Sequence, residues 1–357
     1  MKKINSYNNV SNMDIGIRVN ANESYKNISD DELKDIVEDV IKLKLNRYPD
    51  SDCDELREIY SKVVGVNKEN LIAGNGSDEM ISLIISSQIT RKKVVLTINP
   101  DFSMYDFYTS VSEGVIKKYN TEKDGSFSVN KFINFGKKVS PKVIIFSNPN
   151  NPTGHVISND DILYILDSFK DSLVVIDEAY YEFYGQSMIQ YIEKYKNLIV
   201  TRTLSKAWGL AALRVGFLIA NKDLIEELNK SKVPYNLNTF SQIMACNILK
   251  HPEKILKNVE EVVYERERLY KNLKHIEGLS DNKIIFYKSK ANFIFGRSII
   301  KEDIKRLLEK KGILIRYFND DSFRITVGSA LENDLVVNII EKAVLGVEEE
   351  NDKSVTN

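Results

Sequence analysis

Short runs of apolar, mostly β-branched residues recur along the middle of the chain. They are Val94-Val95-Leu96, Val143-Ile144-Ile145-Phe146, Leu173-Val174-Val175-Ile176, Leu198-Ile199-Val200 and Val215-Gly216-Phe217-Leu218-Ile219. Only the last is interrupted, by Gly216. Continuous rather than alternating apolar character predicts strands buried on both faces of a mainly parallel sheet. Segments with helical periodicity lie between the runs, such as Met80 to Ser87 and Asp160 to Phe169. The alternation predicts an α/β domain with helices on both faces of the sheet. From about Lys254 the pattern changes. A long charged amphipathic helix, Leu256 to His275, precedes strands at Asn292–Phe295, Ile313–Arg316 and Phe323–Val327. This reads as a second, smaller α+β domain joined by the N-terminal segment. The expected division is an arm at 1–30 packing with the small domain, a large domain at 31–250, a small domain at 251–346 and a disordered tail at 347–357.

Composition narrows the class. A chain of 357 residues exceeds what one hydrophobic core usually holds, which agrees with two domains. Apolar content of 43% and charged content of 28% are ordinary for a soluble globular protein. A net charge of −1 gives no basic field for nucleic acid or a membrane surface. No apolar run approaches the ~20 residues of a membrane-spanning helix, and the start of the chain lacks an apolar secretion core. Cys53 and Cys246 lie far apart without metal-ligand spacing and read as reduced thiols of a cytoplasmic protein. His155, His251 and His275 share no spacing, so no residue is assigned to metal.

Polar signatures fall where the strands end. In an open α/β sheet, ligands collect beyond the carboxyl ends of the strands. There, Ile145-Phe146 runs into Ser147-Asn148-Pro149-Asn150-Asn151-Pro152-Thr153-Gly154. Val175-Ile176 runs into Asp177-Glu178-Ala179-Tyr180, and Ile199-Val200 into Thr201-Arg202-Thr203-Leu204-Ser205-Lys206. Three strand ends thus deliver an amide, a carboxylate, a phenol and a lysine to one crevice. Read singly, Asp177 is a helix cap, Asn-Pro-Thr-Gly a turn and Lys206 a surface charge. Together they form the parts of a pyridoxal phosphate site. Lys206 can bond the cofactor's aldehyde and later carry a proton. Asp177 can keep the pyridine nitrogen protonated, so that the ring draws electrons from the substrate. Asn151 and Tyr180 can donate to the ring's phenolate oxygen.

The phosphate needs its own cradle. Ala73-Gly74-Asn75-Gly76-Ser77-Asp78-Glu79 leads into the apolar helix, where small residues and free backbone amides suit an anion. Gly76, Ser77 and Asp78 are the candidates there, completed by Thr203, Ser205 and the fixed cation Arg214. An aromatic face for the ring is expected after Pro100, from Phe102 or alternatively from Tyr105.

The set resembles the fold-type-I pyridoxal-phosphate aminotransferases, and within them the histidinol-phosphate aminotransferase family. The motifs that carry the resemblance are Asn20-Ala21-Asn22-Glu23, Arg47-Tyr48-Pro49, Gly74-Asn75-Gly76-Ser77-Asp78-Glu79, Pro149-Asn150-Asn151-Pro152-Thr153-Gly154, Asp177-Glu178-Ala179-Tyr180, Arg202-Thr203-Leu204-Ser205-Lys206 and Arg324-Ile325-Thr326-Val327-Gly328. The resemblance implies the fold-type-I architecture and a homodimer with sites shared across the interface. Tyr48 would reach the cofactor phosphate of the other subunit. Asn22, Arg316 and Arg324 would hold substrate, with a tyrosine from the partner's arm, for which Tyr7 is the nearest candidate. The implied reaction passes an amino group from an amino donor, foremost histidinol phosphate, to 2-oxoglutarate with release of glutamate. A threonine-phosphate decarboxylase or an aromatic or specialised-pathway aminotransferase would use the same scaffold. Departures from the family pattern are Ser24-Tyr25, Phe102, Ala212 and Ser329-Ala330-Leu331-Glu332.

Overall fold

The structure is a computed structural model and describes residues 16–347. Tyr7, residues 1–15 of the expected arm and residues 348–357 of the expected tail lie outside the described residues.

The first strand, β1 (Ile17–Val19), belongs to a sheet completed far downstream. Seven strands then build one sheet: β2 (Leu71–Asn75), β3 (Val94–Asn99), β4 (Val115–Asn120), β5 (Val143–Ser147), β6 (Leu173–Asp177), β7 (Leu198–Thr203) and β8 (Val215–Ala220). Their order is β2-β8-β7-β6-β5-β3-β4. Pairing is parallel from β7 through β4, and β8 is antiparallel to both β7 and β2. The five apolar runs form β3, β5, β6, β7 and β8, and every residue of the last two is buried. Helices Ser77–Gln88 and Asn159–Ser168 cover opposite faces, since their buried residues fall in different core clusters.

Two strands of this sheet carry no clear apolar signal. β4 reads Val-Ile-Lys-Lys-Tyr-Asn and is mostly exposed. It is an edge strand, and its lysines discourage pairing with another chain. β2 is short and holds Gly74, whose added Cβ would lie 2.2 Å from the Met80 side chain.

A second sheet has the order β1-β11-β12-β10-β9. It consists of β9 (Ile284–Tyr287), β10 (Phe293–Ser298), β11 (Ile313–Tyr317) and β12 (Ser322–Thr326), with β1 parallel to β11 at its edge. The charged helix runs from Pro252 to Gly278, longer at both ends than its amphipathic pattern predicts, with Pro252 in its first turn. It packs against the helix Ala330–Leu345. Among the described residues no helix is long and apolar enough to cross a membrane.

Candidate active site

A cleft of about 740 Å3 is lined by the carboxyl ends of β3, β5, β6 and β7 and by residues of β10, β11 and β12. Open α/β sheets present their strand ends to ligands in this way.

Asp177, the last residue of β6, is 3% exposed. Its carboxylate accepts the Tyr105 hydroxyl at 2.8 Å and the Thr201 hydroxyl at 3.1 Å. Burial raises its pKa to about 6, against the pull of these two hydrogen bonds. A buried carboxylate of this kind seeks a cationic partner such as a protonated ring nitrogen. The Tyr105 hydroxyl is thus engaged by the carboxylate, and its side chain is fully buried. Phe102 lines the cleft, and its ring meets that of Tyr105 edge-on at 5.7 Å.

Lys206 follows β7 in a turn and also lines the cleft. Its Nζ donates to the Ala21 carbonyl at 2.9 Å. Burial first, and the Arg324 guanidinium second, bring its pKa down to about 8. The neutral amine is thus far more populated near physiological pH than in an ordinary lysine, which suits it to react with an aldehyde.

At the opposite end, Arg214 holds the left-handed conformation with φ +53°. Its Nη1 donates to Ser205 Oγ at 3.1 Å and its Nη2 to Asp78 Oδ2 at 3.0 Å. The Thr203 hydroxyl donates to Ser205 Oγ at 2.9 Å. The helix Ser77–Gln88 begins beside this guanidinium. Gly76, with φ +84°, is required here: an added Cβ would stand 2.6 Å from Arg214 Nη2. A serine hydroxyl cluster, a fixed guanidinium and a helix N-terminus together suit a phosphate. With Lys206 and Asp177 in the same cleft, the donor set fits pyridoxal phosphate from its phosphate to its ring nitrogen.

The small sheet closes the cleft. Arg316 on β11 and Arg324 on β12 are Cα partners, and both line it. Arg324 is 7% exposed, contacts Asn151 Oδ1 and donates to the Asn20 carbonyl at 2.9 Å. Engaging that oxygen leaves the Asn151 amide nitrogen as the group to donate toward a ligand. Asn22 is buried with φ 55°, and its Nδ2 donates to the Tyr180 hydroxyl at 2.9 Å. Asn22 is tied to Thr326 twice, through its backbone N–H and its side-chain oxygen.

One chain thus brings together Ser77, Asp78, Phe102, Asn151, Asp177, Tyr180, Thr203, Ser205, Lys206, Arg214, Asn22, Arg316 and Arg324, with Gly76 directly behind. Tyr48 stands apart: it is 81% exposed and stacks on Tyr235 at 4.7 Å. Sequence reasoning missed Asp101, Ser147, Arg18 and Arg297, all of which line the cleft. For Arg297 a signal existed, because period-two alternation puts it on the same face as Phe293 and Phe295. Among the described residues no group of three or more His, Cys, Asp or Glu side chains could hold a metal.

Comparison with known proteins shows the family and the fold. The family model for aminotransferase class I and II matches residues 14–342. A histidinol-phosphate aminotransferase of Clostridium novyi is 42% identical over 91% of both chains. One from Caldanaerobacter subterraneus is 36% identical over 93% of this chain and 94% of that protein. The solved histidinol-phosphate aminotransferase of Sinorhizobium meliloti, in complex with pyridoxal-5'-phosphate, shares the fold with a TM-score of 0.84 at 19% identity, covering 94% of this chain and 92% of that one. The chain belongs to the class I and II aminotransferases, the pyridoxal-phosphate enzymes of the fold its two sheets and cleft describe.

Proposed function

We propose that the protein transfers the amino group of histidinol phosphate to 2-oxoglutarate, in the cytoplasm, as a homodimer with shared sites. The observation that carries this reading is the cleft's arrangement. Asp177 ends a strand of the large sheet and Lys206 follows one, and Arg316 and Arg324 of the small sheet line the same cleft. Two guanidinium forks suit a phosphate or carboxylate on the substrate, because each can bind two oxygens at once. The names of the relatives at up to 42% identity support the choice of donor. A cytoplasmic setting agrees with Cys53 and Cys246, both buried and unpaired.

When bound, pyridoxal phosphate supplies a protonated ring that draws electrons from the substrate's α-carbon. The chain's residues set the conditions for that chemistry. Gly76, Ser77, Thr203, Ser205 and Arg214 would hold the phosphate, and the Asp177 carboxylate would hold a proton at the ring nitrogen. Asn151 Nδ2 and the Tyr180 hydroxyl would donate to the ring oxygen. Lys206 Nζ would hold the cofactor by its aldehyde and, as a free amine, would move a proton between the substrate α-carbon and the cofactor's aldehyde carbon. Tyr48 and Tyr235 present exposed aromatic surface outside the cleft of their own chain, which supports a second copy covering them.

A panel assay tests the reading. Purified protein is given histidinol phosphate, phosphothreonine, phenylalanine or tyrosine, with 2-oxoglutarate as acceptor. Glutamate should form fastest with histidinol phosphate. Carbon dioxide released from phosphothreonine without any acceptor would replace the transaminase reading with a decarboxylase one. Faster turnover of phenylalanine or tyrosine would move the donor to the aromatic amino acids.

A further inference from the structure

Phe102 and Asn151 line the same cleft, yet they belong to separate loops, one after β3 and one after β5. One side chain joins the two loops. Asp101 Oδ1 accepts the Phe102 backbone N–H at 2.7 Å and also the Ser147 hydroxyl, while its Oδ2 accepts the Ser147 backbone N–H at 3.1 Å. Ser147 Oγ passes the connection on. It accepts the Asn151 backbone N–H at 2.9 Å and Asn150 Nδ2 at 3.4 Å. Asn150 Nδ2 also reaches back to the Pro100 carbonyl at 3.3 Å. The hydroxyl thus gives its one proton and fills both lone pairs, a complete hydrogen-bond complement. Ser147 is the Cα partner of Asp177 across β5 and β6, so this hub stands beside the floor of the site.

A second carboxylate is a costly choice for holding a loop. Its two oxygens accept from three donors, which neither Asn, with one acceptor oxygen, nor Thr, with one hydroxyl, can reproduce. Burial pushes the Asp101 carboxyl up to about 8, and Asp177 adds to the rise, while the bonds from Ser147 and Phe102 act against it.

We propose that Asp101 is a positioning residue that, through Ser147, fixes Phe102 and Asn151 relative to one another and so sets the orientation a cofactor ring would take relative to Asp177. The proposal rests on the reading of the cleft as the pyridoxal-phosphate site.

The test titrates pyridoxal phosphate into the full-length wild type and the variants Asp101→Ala, Asp101→Asn, Ser147→Ala and Asp101→Ala/Ser147→Ala. Absorbance gives cofactor affinity. The visible circular dichroism of the bound cofactor reports ring orientation, and thermal melting of the cofactor-free proteins reports folding. Asp101→Ala and Ser147→Ala should each weaken binding by about tenfold, the loss expected when one buried link breaks. Each should also alter the dichroism band. The double variant should be no worse than either single one, because both changes break one chain of contacts. Asp101→Asn, which can still accept from the Ser147 hydroxyl, should fall between. Affinity within about twofold of wild type, with an unchanged band, in a folded Asp101→Ala protein overturns the proposal. So does full additivity in the double variant. If Asp101→Ala does not fold, Ser147→Ala and Asp101→Asn decide by the same criteria. A wild type that takes up no cofactor at all overturns the underlying reading and the proposal with it, whereas normal wild-type uptake with unaltered variants overturns the proposal alone.

Discussion

Lys206 shows how surroundings change what a single residue can do. An exposed lysine stays protonated until far above neutrality, whereas burial and the Arg324 guanidinium bring this one down to about 8. Only the neutral amine attacks an aldehyde. The rate at which cofactor-free protein captures pyridoxal phosphate should therefore rise with pH through about 8 and level off above it. Replacing Arg324 with Met removes the second cause and leaves the first, so the inflection should move upward without reaching the ordinary value of about 10.4. Stopped-flow absorbance across pH measures both. An inflection at the ordinary lysine value in the wild type would show that the cleft does not tune this amine. The residues that sequence revealed are those with a chemical signature at a strand end, such as Asp177 and Lys206. Asp101 was hidden because a carboxylate after a proline reads as a turn residue. Its long-range contacts come from Ser147, 46 positions away.

At the scale of elements, legibility followed burial. The apolar runs of β5, β6 and β7 mark their strands because both faces are covered. β1 has three residues and owes its strand identity to β11, a partner that no local pattern announces. β9 is an edge strand whose residues alternate between buried and exposed, a pattern too short to read. The helix Ala330–Leu345 gives the opposite case. Ser329 and Glu332, met in the sequence only as a departure from the family pattern, form a capping box: each side chain accepts the other's backbone N–H. This cap fixes the helix that follows β12, the strand bearing Arg324. Ser329→Ala should destabilise the protein by about 0.5–2 kcal/mol, read as a lower denaturation midpoint in urea. KM for the amino donor should stay near wild type, since the cap touches neither arginine. An unchanged midpoint would mean that Glu332 and water satisfy the helix start alone.

At the scale of the molecule, one chain assembles the cleft while leaving Tyr48 outside it. If sites are shared, two damaged subunits can repair one another. Lys206→Ala and Tyr48→Phe proteins, carrying different tags, are allowed to exchange and the mixed dimers are isolated. When Tyr48 acts across the interface, one site of each mixed dimer carries both lesions and the other carries neither. Half of the sites should then recover wild-type cofactor affinity and turnover. Affinity that stays at the level of unmixed Tyr48→Phe protein would confine Tyr48 to its own subunit or to no site. The cleft is also drawn from both ends of the chain: Arg324 donates to the Asn20 carbonyl, and Asn22 to Thr326, each across 304 positions. During synthesis, then, β1 leaves the ribosome early and has no partner until β11 and β12 emerge. The seven strands of the large sheet are translated in the interval and can collapse on their own. The active site is therefore among the last parts of the molecule to exist, and a ribosome that stops short of β12 releases a chain with the lysine in place but without the arginine that tunes it.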